Sequence, residues 1–213
     1  MQKWEQRWPT PMLWLCLYKI YMFRQKQISA IILAGGKSSR MMRDKGLITL
    51  HNKPLIKHVI ETVKRITENI IIISANPTYK QFGYPCFEDS IKDKGPLSGI
   101  LTGLINSTTQ KNFVIGCDMP FLSTHILRKL INNCKDFDVI LAEHNSLAEP
   151  LCGIYDKSCI PHFKLLLDQN QLKIMDALEG LKTRVISFDK EDWFVGNEFA
   201  NINTIEELKK FDQ

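Results

Sequence analysis

The sequence predicts an α/β fold of the Rossmann-like kind, three layers deep (α/β/α) around a mostly parallel sheet. Three observations predict it. Short, continuous apolar runs such as Ile28–Leu33 and the four isoleucines Ile70–Ile73 read as strands buried on both faces. Longer stretches with helical spacing stand between them. Pro54–Ile66, for example, places Leu55, Ile56, Val59, Ile60 and Val63 on one side. The two kinds alternate along the chain, which is the pattern of βαβ units.

Taken in order, Ile28–Leu33 is the first strand, Pro54–Ile66 a helix and Ile70–Ile73 the next strand. Cys86–Glu88 is a short extended segment. Pro96 opens a helix through about Ser107, as proline does at a first turn. Phe113–Gly116 is a buried strand, and Ser123 can cap a helix running to about Asn133. Val139–Ala142 and Leu151–Tyr155 read as strands, Pro161–Leu167 and Ile174–Leu178 as helical, and Val185–Phe188 as a late strand. Thr204-Ile205-Glu206-Glu207 is a capping box that opens the last helix.

The 213 residues suffice for one domain with its own core, and 44% apolar with 24% charged residues is the make-up of a soluble globular protein. Cys16, Cys86, Cys117, Cys134, Cys152 and Cys159 form no C-x-x-C pair, which argues against a zinc ribbon or a thioredoxin-like motif. Reduced thiols in a cytoplasmic protein are expected. The net charge of +5 sits mainly in residues 1–27, where Lys3, Arg7, Lys19, Arg24 and Lys26 face Glu5 alone. The rest is nearly balanced and has no basic stripe with interleaved aromatics, so nucleic acid is not the expected partner.

Residues 1–27 differ in character from the rest of the chain. They hold Trp4, Trp8 and Trp14, and their apolar run Met12–Phe23 is broken by Lys19 and too short to span a bilayer. A disordered tail, a segment that touches a membrane surface, and residues upstream of a true start are the readings, and a start at or near Met22 is the expected one. The domain itself is expected over 28–213.

In open α/β sheets ligands bind beyond the carboxyl ends of strands. Leu33-Ala34-Gly35-Gly36-Lys37-Ser38-Ser39-Arg40-Met41 follows the first strand there. Paired glycines let a backbone approach a ligand, and Lys37, Arg40 and Lys45 add positive charge. The stretch is no P-loop, because the required first glycine is Ile31, and it does not fit G-x-G-x-x-G, because Lys37 stands at the second glycine. Local chemistry alone leaves a phosphate-binding loop and a plain strand-to-helix turn both open.

That loop, together with Asp44-Lys45-Gly46-Leu47 just after it, resembles the signature of the molybdenum cofactor guanylyltransferases. The resemblance continues through Asn52-Lys53-Pro54-Leu55-Ile56, Asn76, Glu88-Asp89-Ser90 and Gly95-Pro96-Leu97-Ser98-Gly99. Cys117-Asp118-Met119-Pro120-Phe121 and Phe199-Ala200-Asn201-Ile202-Asn203-Thr204 complete it, so that it covers roughly residues 28–210. Two positions depart from the pattern: Asn52 and Met42 stand where the family usually has glycine.

The resemblance implies a nucleotidyltransferase fold and transfer of GMP from GTP to molybdenum-bound molybdopterin, with release of pyrophosphate. It implies GTP contacts from Leu33, Ala34, Gly35, Gly36, Lys45, Asn76, Asp89 and Asp118. Arg40, Lys45 and Asp118 are the implied catalytic groups, and Asn201 and Asn203 the acceptor side. Asp118 is also the expected ligand of Mg²⁺, a hard cation that commonly takes one or two carboxylates plus substrate phosphates. The chemistry of the residue types agrees. The Asn76 amide suits a purine edge, and the Asp89 carboxylate can accept the N1–H and N2–H of guanine. Each also has a plain reading: a turn asparagine, a solvated loop carboxylate and, for Asp118, a cap before Pro120. Glu149–Tyr155 resembles a segment beside the acceptor pocket. Expected partners are GTP, molybdenum-molybdopterin, and molybdenum-insertion and molybdoenzyme chaperone proteins. A molybdopterin cytidylyltransferase, a sugar-phosphate nucleotidyltransferase and a non-catalytic nucleotide-binding regulator are the alternatives.

Overall fold

A computed structural model of the protein describes residues 28–35, 44–89, 91 and 94–211. The expectations for residues 1–27, Gly36, Arg40 and Met42 lie outside these. The described strands are β1 (Ile28–Leu33), β2 (Thr49–Leu50), β3 (Lys53–Pro54), β4 (Ile70–Ile73), β5 (Cys86–Phe87), β6 (Lys111–Gly116), β7 (Val139–His144), β8 (Leu147–Asp156) and β9 (Thr183–Ser187). The described α-helices are α1 (Leu55–Lys64), α2 (Gly95–Asn106), α3 (Thr124–Asn132), α4 (Ile160–Asp168) and α5 (Ile205–Phe211).

Seven strands form one sheet in the order β5-β4-β1-β6-β8-β7-β9. β4, β5 and β6 run parallel to β1, and β9 runs parallel to β7. β8 is antiparallel to both its neighbours, so it alone runs against the sheet. Because side chains alternate along a strand, Ile28, Ala30 and Ile32 pack on one face with Ile56, Val59, Ile60 and Val63 of α1 and Ile126, Leu127 and Leu130 of α3. Ile31 and Leu33 pack on the other with Leu97, Ile100, Leu101 and Leu104 of α2 and Phe163 and Leu167 of α4. This is the three-layer α/β/α arrangement, and it explains why β1 and β4 are buried at every position and apolar but for Ser29. α2 is buried over Leu97–Leu104. Its Gly99 faces Leu33, whose Cδ2 lies 3.3 Å from where a Cβ would be, and Gly103 presses on Ile31.

The sequence-level bounds hold to within a few residues, with one correction. The helical run expected over Ile174–Leu178 is a single 3-10 turn, Asp176–Leu178. The segment meets Gly180 at φ 81 and is too short to propagate an α-helix, so the burial of Ile174, Ala177 and Leu178 holds it instead. Two hairpins close on two-residue turns with left-handed backbone at both positions: His51 and Asn52 (φ 48 and 60) and Asn145 and Ser146 (φ 50 and 59). Asn52 therefore occupies the conformation that a glycine would supply, which asparagine tolerates better than most residues.

β8 starts earlier than the expected Leu151, and its pairing with β7 is irregular. The register jumps from Leu141↔Gly153 to Ala142↔Glu149, so Pro150–Cys152 bulge out of that ladder. The Tyr155 hydroxyl donates to the Pro150 carbonyl at 2.8 Å across the bulge. A smaller core of Leu50, Leu55 and Ile202, with Ile48, Phe121, Leu208 and Phe211 against it, fastens the β2–β3 hairpin to α5.

Candidate active site

β1, β4, β5 and β6 end side by side, and their carboxyl ends border a cleft of about 830 Å³. Leu33, Ala34 and Gly35 enter it from β1, Ile73, Ser74 and Ala75 from β4, Glu88 and Asp89 from β5, and Gly116, Cys117 and Asp118 from β6. Backbone bonds step across these ends. The Ala34 amide donates to the Ile73 carbonyl (2.9 Å), the Ser74 amide to Phe87 (2.9 Å) and the Cys117 amide to Leu33 (3.1 Å). The Ile202 amide donates to the Asp118 carbonyl (3.0 Å), which brings the segment before α5 to the same edge. Among the described residues, an added Cβ at Gly35 would meet only the Ile73 carbonyl, at 3.9 Å.

Asp118 lies just beyond β6. Burial pushes its carboxyl above the usual carboxylate range, and the nearby Lys45 ammonium only partly opposes this. The Lys45 Nζ lies 3.8 Å from Asp118 Oδ2 and donates to Asn203 Oδ1 at 2.5 Å. Three residues far apart in sequence thus meet at one point. Gly116 makes the placement possible, since a Cβ there would stand 2.6 Å from Asp118 Oδ1.

The capping box fixes Asn203. Glu207 Oε2 accepts from the amides of Asn203 (2.6 Å) and Thr204 (3.0 Å), and Thr204 Oγ1 accepts from the Glu207 amide (3.1 Å). Asn201 and Asn203, both partly exposed, flank the fully buried Ile202, so they share a side of the segment as their spacing predicts.

Asn76 and Asp89 are placed differently. Asp89 lines the cleft, but its Oδ1 already accepts from the Ser98 hydroxyl, the Thr102 hydroxyl (3.3 Å) and the Ile91 amide (3.3 Å). Three described donors thus orient the carboxylate of Asp89 from one side. Asn76 does not line the cleft. Its Oδ1 caps the 3-10 helix Pro77–Phe82 through the Thr78 amide (3.0 Å), and its Nδ2 donates to Asp44 Oδ2 (3.0 Å).

Asp44 is a lining residue to which the sequence assigns no role, although it stands directly before Lys45. The Tyr79 hydroxyl donates to its other oxygen. Nothing around Tyr79 in the sequence marks it as part of a site. Leu151, from the bulge in β8, closes another side of the cleft. Neighbouring Glu149 has its carboxyl pushed up by burial, opposed by His144 and reinforced by the Asp118 carboxylate, so the Glu149–Tyr155 segment does border this site.

The described lining carries four carboxylates, Asp44, Glu88, Asp89 and Asp118, against Lys45. A polyphosphate entering it needs further cations. Among the described residues no group of three or more His, Cys, Asp or Glu side chains is arranged to hold a metal by itself. The half-buried Asp118 carboxylate, whose charge Lys45 only partly offsets, suits Mg²⁺ arriving with phosphate oxygens as its other ligands.

The MobA-like NTP transferase domain matches residues 30–183. A Flavobacterium johnsoniae protein named "Probable molybdenum cofactor guanylyltransferase" is 36% identical over 182 residues, 85% of this chain and 94% of its own. The Vibrio campbellii molybdenum cofactor guanylyltransferase is 36% identical over 198 residues, 90% of this chain and 98% of its own. In structure, the chain is similar to the molybdopterin-guanine dinucleotide biosynthesis protein A of Archaeoglobus fulgidus. Its TM-score is 0.72 at 24% identity, covering 86% of this chain and 96% of that one.

Proposed function

The chain belongs to the MobA-like NTP transferase family, and from that premise we propose that it transfers GMP from GTP to molybdenum-bound molybdopterin, releasing pyrophosphate. The observation that carries the reading is the meeting of Lys45, Asp118 and Asn203 beside the Ala34–Gly35 turn. A cation, an undercompensated carboxylate and an amide at the ends of parallel strands suit a nucleotide polyphosphate with its counter-ion.

A phosphate oxygen of the acceptor attacks the α-phosphorus of GTP, one P–O bond forms and the bond to pyrophosphate breaks. The attacking group is already an anion, so no general base is needed, and rate comes from positioning and charge. Lys45 stabilises charge that develops on the phosphates, and Asn203 keeps the ammonium in place. Asp118 would hold Mg²⁺, which when bound offsets phosphate charge and orients the groups. The backbone of Leu33–Gly35 offers close approach for the nucleotide, Asp89 presents its carboxylate to base or ribose, and Asn201 and Asn203 face the acceptor. Arg40 and Gly36 complete the loop by family resemblance.

We place the reaction in the cytoplasm, where GTP is made and where the buried thiols of Cys117, Cys152 and Cys159 stay reduced. No described helix is long and apolar enough to cross a membrane. Proteins that insert molybdenum and that carry the cofactor to its enzymes are the expected partners on either side of the reaction.

The decisive measurement is pyrophosphate release with each of the four NTPs and molybdenum-loaded molybdopterin. GTP is expected to be preferred by roughly a hundredfold or more, because a mismatched base leaves hydrogen-bonding groups of the site unpaired. Equal turnover with CTP would turn the assignment to a cytidylyltransferase.

A further inference from the structure

We propose that Asp44, gripped by Tyr79 and Asn76, is a positioning residue that fixes Lys45 at the phosphate end of the cleft. The proposal rests on the reading of Lys45 as a phosphate-binding cation and adds what holds that cation in place.

Asp44 stands at the N-cap of the 3-10 turn Lys45–Leu47. An aspartate there ordinarily turns its carboxylate onto the amides of its own turn. Here it makes no such bond. Both oxygens are directed across the chain instead, Oδ2 to the Asn76 amide nitrogen at 3.0 Å and Oδ1 to the Tyr79 hydroxyl.

The other side of the grip is rigid. Tyr79 is fully buried, and burial pushes its phenol well above its ordinary range, so it remains a donor. Asn76 is anchored in turn by capping Pro77–Phe82. Gly46, immediately after Lys45, packs so closely on the Tyr79 hydroxyl and on Cys117 Sγ that a Cβ has no room.

The Lys45 backbone is therefore pinned on both sides, by Asp44 before it and Gly46 after it, onto one buried tyrosine. From that fixed root its flexible side chain reaches Asn203 and the neighbourhood of Asp118. In this arrangement Asn76 acts on the nucleotide through Asp44 and Lys45, in place of the direct base contact expected from the sequence.

The test is a double-mutant cycle with Tyr79→Phe and Lys45→Ala, read by kcat, by KM for GTP and by thermal melting. Tyr79→Phe deletes one oxygen. It is expected to lower kcat by about tenfold with a smaller change in KM, because a slightly misplaced charge fails mostly in the transition state. If Tyr79 works through Lys45, adding Tyr79→Phe to Lys45→Ala lowers kcat no further. A full additional tenfold loss in the double variant, or ordinary kcat in a folded Tyr79→Phe protein, overturns the proposal while leaving the phosphate role of Lys45 intact. Ordinary turnover of Lys45→Ala overturns that role, and the proposal with it. If Tyr79→Phe melts too low to assay, Asp44→Ala at its partly exposed position carries the same cycle, with the same two outcomes deciding.

Discussion

Asp118 is held where its charge is least favoured. Its folded carboxyl binds a proton more tightly than the same group in the unfolded chain, so the ionised form subtracts stability. That penalty is complete above the folded pKa and fades as pH falls towards the unfolded value. Asp118→Asn removes the charge and keeps the shape. In nucleotide-free protein it is expected to raise the melting temperature at pH 7. The gain should disappear below the ordinary carboxylate range, where the wild type is itself neutral. Turnover should fall by roughly a thousandfold. A variant that melts lower at both pH values would make Asp118 a structural group. The motif Cys117–Phe121 makes Asp118 visible in the sequence, whereas the Asp89 network is not visible, because Ser98 and Thr102 reach it from a helix that begins only at Gly95. Side-chain donors that arrive from another element leave no spacing to read.

At the scale of elements, β6 does more than carry Asp118 to the cleft. Its last residue, Gly116, leaves the space that the carboxylate fills. Gly116→Ala puts a methyl group 2.6 Å from Asp118 Oδ1 and must turn the carboxylate aside. It is expected to cut kcat by about ten- to a hundredfold, the scale of loss from misplacing a reacting group by an ångström. The melting temperature should move little, since the rest of β6 keeps its ladder. If activity is retained while the melt drops, the glycine serves strand packing alone. The buried parallel strands are legible in the sequence because a strand covered on both faces is apolar at every position, as Ile70–Ile73 is. The reversed direction of β8 is not legible. It arises from the tight turn at Asn145 and Ser146, which lacks the glycine that usually advertises such a turn, and from a bulge that interrupts the strand's pattern at Pro150.

At the scale of the molecule, the site draws on residues from Leu33 to Asn203 and exists only when the chain is folded. The small core of Leu50, Leu55 and Ile202 joins the hairpin after Lys45 to the segment that carries Asn203. Packing between segments distant in sequence thereby supports the Lys45–Asn203 contact, which no local pattern in the sequence could disclose. Nucleotide binding and global stability are therefore linked. GTP at a hundred times its dissociation constant should stabilise the fold by about 2.7 kcal/mol, or roughly 5–11 °C at 2–4 °C per kcal/mol. Because the charged residues of the described lining are four carboxylates against Lys45, most of that shift should require Mg²⁺ to accompany the phosphates. Asp118→Asn should melt higher than wild type without ligand yet respond to GTP equally with and without Mg²⁺, its own part in holding the ion being lost. CTP should shift the wild type far less than GTP. Thermal scans of both proteins across a Mg²⁺ titration with each nucleotide give all these outcomes together. A wild-type shift that is the same in Mg²⁺ and in chelator would remove the metal from Asp118, and an equal shift with CTP would remove the preference for guanine.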